Sequence, residues 1–119
     1  MHSHSELQML RDELRAFAAA RDCEQFHSPK NLSMALMVEA AELIEHFKWR
    51  SEHQSDNLSA EDLLAVGEEL ADVLLYLVRL SDRLDIDLFS AALQKLEKNA
   101  AKYPVEKSRG NAKKYTAFE

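Results

Sequence analysis

From Leu63 to Leu84 the apolar residues Leu63, Val66, Leu70, Val73, Leu77, Leu80 and Leu84 step by three and four with no proline among them. That is the period of one long helix packed along neighbours, not of any strand. A rod of this kind needs partners of its own kind. Two glycines and two prolines in 119 residues cannot supply the turns that a sandwich or barrel requires about every ten residues. The expected fold is therefore all-α, a four-helix bundle. With 46% hydrophobic residues the chain can fill one core and is too short for two, so residues 1–119 are expected to form a single domain.

The same periodicity places the other helices. Leu7, Leu10, Leu14, Phe17 and Ala18 share a face, giving a first helix over about residues 5–22. The segment "CEQFHSPKN" reads as an ordered loop into a second helix over about 31–49, and "RSEHQSDN" at 50–57 as a surface loop. Ser59 and Asp62 have capping-box spacing and open the third helix, 59–84. Asp87 can cap a fourth, 87–103, with Phe89, Ala92, Leu93, Leu96 and Tyr103 inward and Pro104 as its stop. The tail, 104–119, lacks periodicity and is expected either as a loose end or as a segment that orders over a site.

A net charge of −6 argues against polymeric nucleic acid as the partner, because a polyphosphate backbone requires clustered Lys and Arg. Cys23 is the single cysteine, so no internal disulfide is available and a reducing, cytoplasmic setting is expected. Met1 to Glu6 carry two histidines and no apolar run, unlike a secretion signal. No stretch reaches the roughly 18 apolar residues of a membrane span, so no membrane partner is expected.

Acids interrupt the apolar faces in a repeated way. Positions three apart on a helix lie about 60° apart and share a face. Glu39 therefore points with Leu32, Leu36 and Leu43, and Glu42 sits at the edge of that stripe. On the third helix Glu69 points with Val66, Val73 and Leu80, with Asp72 and Tyr76 beside it. Glu45 and Glu68 fall toward water. If the two faces meet, four carboxylates converge, and such a group must either take up protons or hold cations. Ligation by carboxylate oxygen alone suits Mg²⁺ first and Mn²⁺ second. A di-iron carboxylate bundle would need Glu-x-x-His pairs, which neither acid pair supplies. Mg²⁺ held in this way points to phosphoryl or nucleotidyl chemistry; the rival reading is a non-catalytic helical oligomerisation or regulatory module with a hydrated acidic seam.

Glu39-x-x-Glu42 followed by Glu69-x-x-Asp72 resembles the metal motif of the MazG-like all-α nucleotide pyrophosphohydrolases. "EQFHSPKNL", "FKW", "EELADVLLYLV" and "YPVEKSRGNAKKYT" resemble, in order, segments of the dCTP pyrophosphatase branch of that family. The resemblance implies Mg²⁺-dependent cleavage of a nucleoside triphosphate to the monophosphate and pyrophosphate. It also implies homodimers or homotetramers whose sites draw on more than one subunit. It makes Glu39, Glu42, Glu69 and Asp72 metal ligands; separately, general-base chemistry needs one acid to accept the proton of the attacking water, and Glu42 is the first candidate. The base pocket would be built from Cys23, Gln25, Phe26 and His27, with Trp49 and Tyr76.

Trp49 has a flat face suited to stacking on a base. Asn99, Lys102, Arg109 and Lys113 are the groups expected near phosphates, since a triphosphate carries more charge than one Mg²⁺ cancels. The chain departs from the branch at Cys23, where the branch has tryptophan, and at Leu14, where it has an inward histidine. A cytosine nucleotide, including 5-substituted dCTP, is the expected substrate, with looser selectivity; dUTP or another nucleotide such as phosphoribosyl-ATP is the alternative.

Overall fold

The computed structural model describes residues 5–110. They form α1 (Ser5–Ala20), a 3₁₀ turn (Glu24–Phe26), α2 (Pro29–Glu45), α3 (Glu52–Asp56), α4 (Ala60–Arg83), α5 (Leu88–Lys102) and α6 (Val105–Ser108). Among the described residues there is no strand, and no helix is long and apolar enough to cross a membrane. The all-α expectation is met.

The helix ends follow from local chemistry. The second helix begins two residues earlier than its apolar period suggests. Ser28 Oγ accepts from the Asn31 amide at 3.1 Å, and Pro29 occupies the first turn, where its missing N–H costs nothing. It ends at Glu45 rather than Trp49, and residues 46–49 continue as tight turns. The run expected as a loop holds α3, opened by a reciprocal capping box. There Ser51 Oγ accepts from Gln54 N at 3.1 Å and Gln54 Oε1 accepts from Ser51 N at 2.8 Å. Ser59 caps α4 by accepting from Asp62 N. The Asp62 carboxylate does not reach back to the cap; it accepts from Arg50 at 2.9 Å instead.

α1 and α4 close in the same manner. Asp22 and Asp85 take left-handed backbone (φ 52° and 55°), a region Asp tolerates better than most residues. The following amides of Cys23 and Ile86 each bond back to a carbonyl five residues earlier, at 2.9 Å, the Schellman arrangement. The first of these closures throws the chain into the 3₁₀ turn and delivers His27 to α4.

The described residues divide into two compact units, one through Ile86 and one from Asp87. In the first, α4 packs along α2 and, over a smaller area, on α1. Its buried apolar side chains are Ala18, Leu32, Val66 and Val78. In the second, Asp87 caps α5 by accepting from Ser90 N at 3.1 Å, and Pro104 lies between α5 and α6.

An ionic strut ties α1 to α4. Arg15 donates to both oxygens of Asp82, at 2.7 and 2.5 Å, and the buried Arg79 guanidinium lies 3.5 Å from the same carboxylate. The hydrogen bonds from Arg15 hold the Asp82 carboxyl below the usual carboxylate range. Asp82→Ala would leave buried Arg79 without its counter-ion. It is expected to cost about 2 kcal/mol in urea unfolding at neutral pH, with Arg15 partly compensated by water. A group with a depressed pKa contributes its stability above its ordinary pKa and loses it as pH falls. The difference between Asp82→Ala and the unaltered protein should therefore shrink in strong acid.

Candidate metal centre

The packing of α2 on α4 brings three of the four predicted acids together. Glu39, Glu69 and Asp72 each offer one carboxylate oxygen, and these oxygens all lie within 4.8 Å of one another. Glu39 Oε2 and Glu69 Oε2 are buried and have no hydrogen-bond partner. Buried carboxylate oxygens are rarely left so, because each forfeits its hydration. Burial comes first among the causes that raise Glu39 to about 7, followed by hydrogen bonding with and repulsion from Glu42, then by Asp72 and Glu69. Glu69 is raised too, by burial and then by the charge of Glu42, with His46 acting weakly the other way. Three converging carboxylates, two of which keep a buried oxygen without a partner, fit a hard divalent cation in both donor chemistry and charge.

Glu42 stands differently from the other three. It is exposed and is not among the three converging acids, yet it is close enough to raise both glutamates. Glu45 and Glu68 face water as expected, and Glu45 pairs with Lys48 at 2.6 Å.

The remaining expected contacts spread over the chain. Cys23, Gln25, Phe26 and His27 lie on the turn after α1. Cys23 Sγ contacts the Arg21 carbonyl at 3.5 Å, and Gln25 donates to the Asp22 carbonyl at 3.1 Å. Phe26 is exposed and His27 half-buried. Tyr76 is half-buried on α4, one turn beyond Asp72. Trp49 is 84% exposed, with the Lys48 ammonium 5.4 Å from its ring centre. Asn99 and Lys102 lie on α5 and Arg109 just after α6, all in the second unit. Lys113 lies outside the described residues.

One residue was not foreseen. Arg79 is buried on α4 and donates through Nε to His27 Nδ1 at 3.1 Å. Arg83, one turn on, donates to the His27 carbonyl at 2.8 Å. With Arg15, Glu24, Gln25 and Asp82 the two arginines line an open polar depression of about 540 Å³. The available signal was spacing: Asp72, Tyr76, Arg79 and Arg83 follow at four, three and four residues and so form one stripe on α4.

An all-α fold in which two packed helices oppose their carboxylates defines a helical protein built to hold a divalent cation. The family model described as MazG-like matches residues 34–118, and the chain belongs to the MazG-like family. It is 47% identical to dCTP pyrophosphatase 1 of Mus musculus over 102 residues, 84% of this chain and 60% of that protein. Identity to dCTP pyrophosphatase 1 of Homo sapiens is 44% over the same span. The chain thus covers 60% of the length of these curated relatives. A pyrophosphatase from Archaeoglobus fulgidus, known from its crystal structure, superposes with a TM-score of 0.73 at 40% identity, covering 87% of this chain and 95% of that one.

Proposed function

We propose that this protein hydrolyses dCTP, or a 5-substituted dCTP, to the nucleoside monophosphate and pyrophosphate, with Mg²⁺ as its cation and Mn²⁺ able to replace it. The observation that carries the reading is the convergence of carboxylates from Glu39, Glu69 and Asp72, of which Glu39 and Glu69 each hold a buried oxygen without a partner; the named relatives supply the nucleotide. Glu39, Glu69 and Asp72 hold the ion. Bound there, Mg²⁺ supplies neutralisation of the triphosphate and acidification of a water for in-line attack at phosphorus. Glu42, beside the trio and open to solvent, takes the proton of that water. Trp49 stacks on the base.

The test is direct. Purified protein with Mg²⁺ is given each dNTP in turn and pyrophosphate is followed. Release from dCTP above the others is expected. Release from dUTP or another nucleotide alone would move the substrate, and none from any nucleotide by folded protein would leave a non-catalytic module.

The protein acts as a homodimer or homotetramer. Large apolar side chains of the packed helices, among them Met37, Ile44, Leu64 and Leu70, are more than half exposed, and apolar area of that extent on packed helices suits a second copy of the chain. Light scattering coupled to gel filtration should return at least twice the 13.6 kDa chain mass.

Trp49→Ala is expected to raise KM for dCTP about tenfold, the equivalent of one base stack at roughly 1–3 kcal/mol, with little change in metal affinity. An unaltered ranking of nucleotides and an unaltered KM would remove Trp49 from the pocket.

A further inference from the structure

His27 is held by α4 at two points. The Arg79 Nε–H donates to its ring Nδ1 at 3.1 Å, and the Arg83 Nε–H donates to its carbonyl at 2.8 Å. Arg79 is itself 93% shielded from water, at 7% relative exposure, and is backed by Asp82 at 3.5 Å, which Arg15 secures from α1. A guanidinium has donors only and stays charged at any working pH. The ring nitrogen that faces it must therefore offer a lone pair. A neutral imidazole with its lone pair at Nδ1 carries its proton at Nε2 and can only donate there.

We propose that Arg79 is a positioning residue for nucleotide recognition: it fixes the orientation of the His27 ring and its Nε2–H form, so that the pocket presents one N–H donor to an acceptor on the base. This rests on the reading of His27 as a base contact in a dCTP-cleaving enzyme. Cytosine offers such acceptors at its O2 carbonyl and ring N3. The surroundings keep the ring from a second proton. Burial lowers His27 below the usual histidine value, Arg79 and Arg83 lower it further, and Glu24 opposes them. Asp82 and Arg15 stand behind Arg79, where they largely cancel each other.

The experiment has a part that needs no substrate. In the intact protein, ¹⁵N NMR of the His27 imidazole at about pH 7.5 should show Nδ1 bare and Nε2 protonated, with the second proton taken up only below the ordinary histidine value near 6.5. A proton on Nδ1 at about pH 7.5, or a second proton taken up at or above the ordinary histidine value, overturns the proposal even if dCTP is cleaved. Arg79→Met keeps the stem and removes the donor, while Asp82 retains Arg15. Its His27 should take up the second proton at higher pH than in the unaltered protein, still below the ordinary histidine value because burial and Arg83 remain, and KM for dCTP should rise about three- to tenfold, the usual cost of re-ordering one freed side chain. kcat should hold within about twofold. Arg79→Lys, which restores a donor, should recover most of the loss. A fall in kcat at constant KM, or an unmoved KM, overturns the proposal. Failure of the unaltered protein to release pyrophosphate from dCTP sinks the assigned reaction instead, and the ring measurement separates the two failures.

Discussion

Glu39→Gln and Glu69→Gln are each expected to lower kcat/KM for dCTP by at least about a hundredfold, because cation-mediated charge stabilisation supplies several kcal/mol to the transition state. The fold should survive both changes. Each removes a carboxylate whose outer oxygen is buried without a partner and which shares its site with two others, so cation-free thermal stability should hold or rise. A large fall in cation-free Tm would show that these acids knit the helices together and would detach them from the chemistry.

The second large effect is on stability as a function of pH and cation. Glu39 binds its proton more tightly in the fold, at about 7 against an ordinary 4.5, and Glu69 shifts the same way. Between those values the native state carries more protons than the unfolded chain, so stability falls as pH rises through this window. His27 works in the opposite sense: its lowered value means the unfolded chain binds more protons near pH 6, and that contribution grows with pH. The two are separated by comparison. The Tm of Glu39→Gln minus that of the unaltered protein should widen from about pH 5 to about pH 7.5 without divalent cation. Mg²⁺ at a hundred times its dissociation constant should then stabilise the unaltered protein by about 2.7 kcal/mol and the variant by far less. A Mg²⁺ response of equal size in both would place the ion elsewhere.

The helical architecture was legible because α1, α2, α4 and α5 each carry a sustained apolar period, and because almost no glycine or proline interrupts them. The acid trio was legible for the same reason read backwards: a carboxylate on an apolar stripe is conspicuous. What lay beyond the sequence depended on contacts between distant segments. Arg79 sits in "YLVRLSDR" where an arginine on a helix ordinarily lies along the boundary with water; only the turn brought back by Asp22 gives it a histidine to face. α3 hid in a polar run because its stability comes from a two-way cap between Ser51 and Gln54 rather than from burial. The Ser59 cap was read correctly, but the carboxylate of Asp62 went to Arg50, an ion pair twelve residues apart that no local motif announces.

The chain contains one tryptophan, and its indole is almost bare. Indole emission therefore comes from a single site, at the long-wavelength limit characteristic of a water-bathed ring. Anything flat that settles on that ring, or any second subunit that covers it, will quench the signal or move it toward the blue. The molecule carries its own optical reporter, readable without a label, at the position assigned to the base.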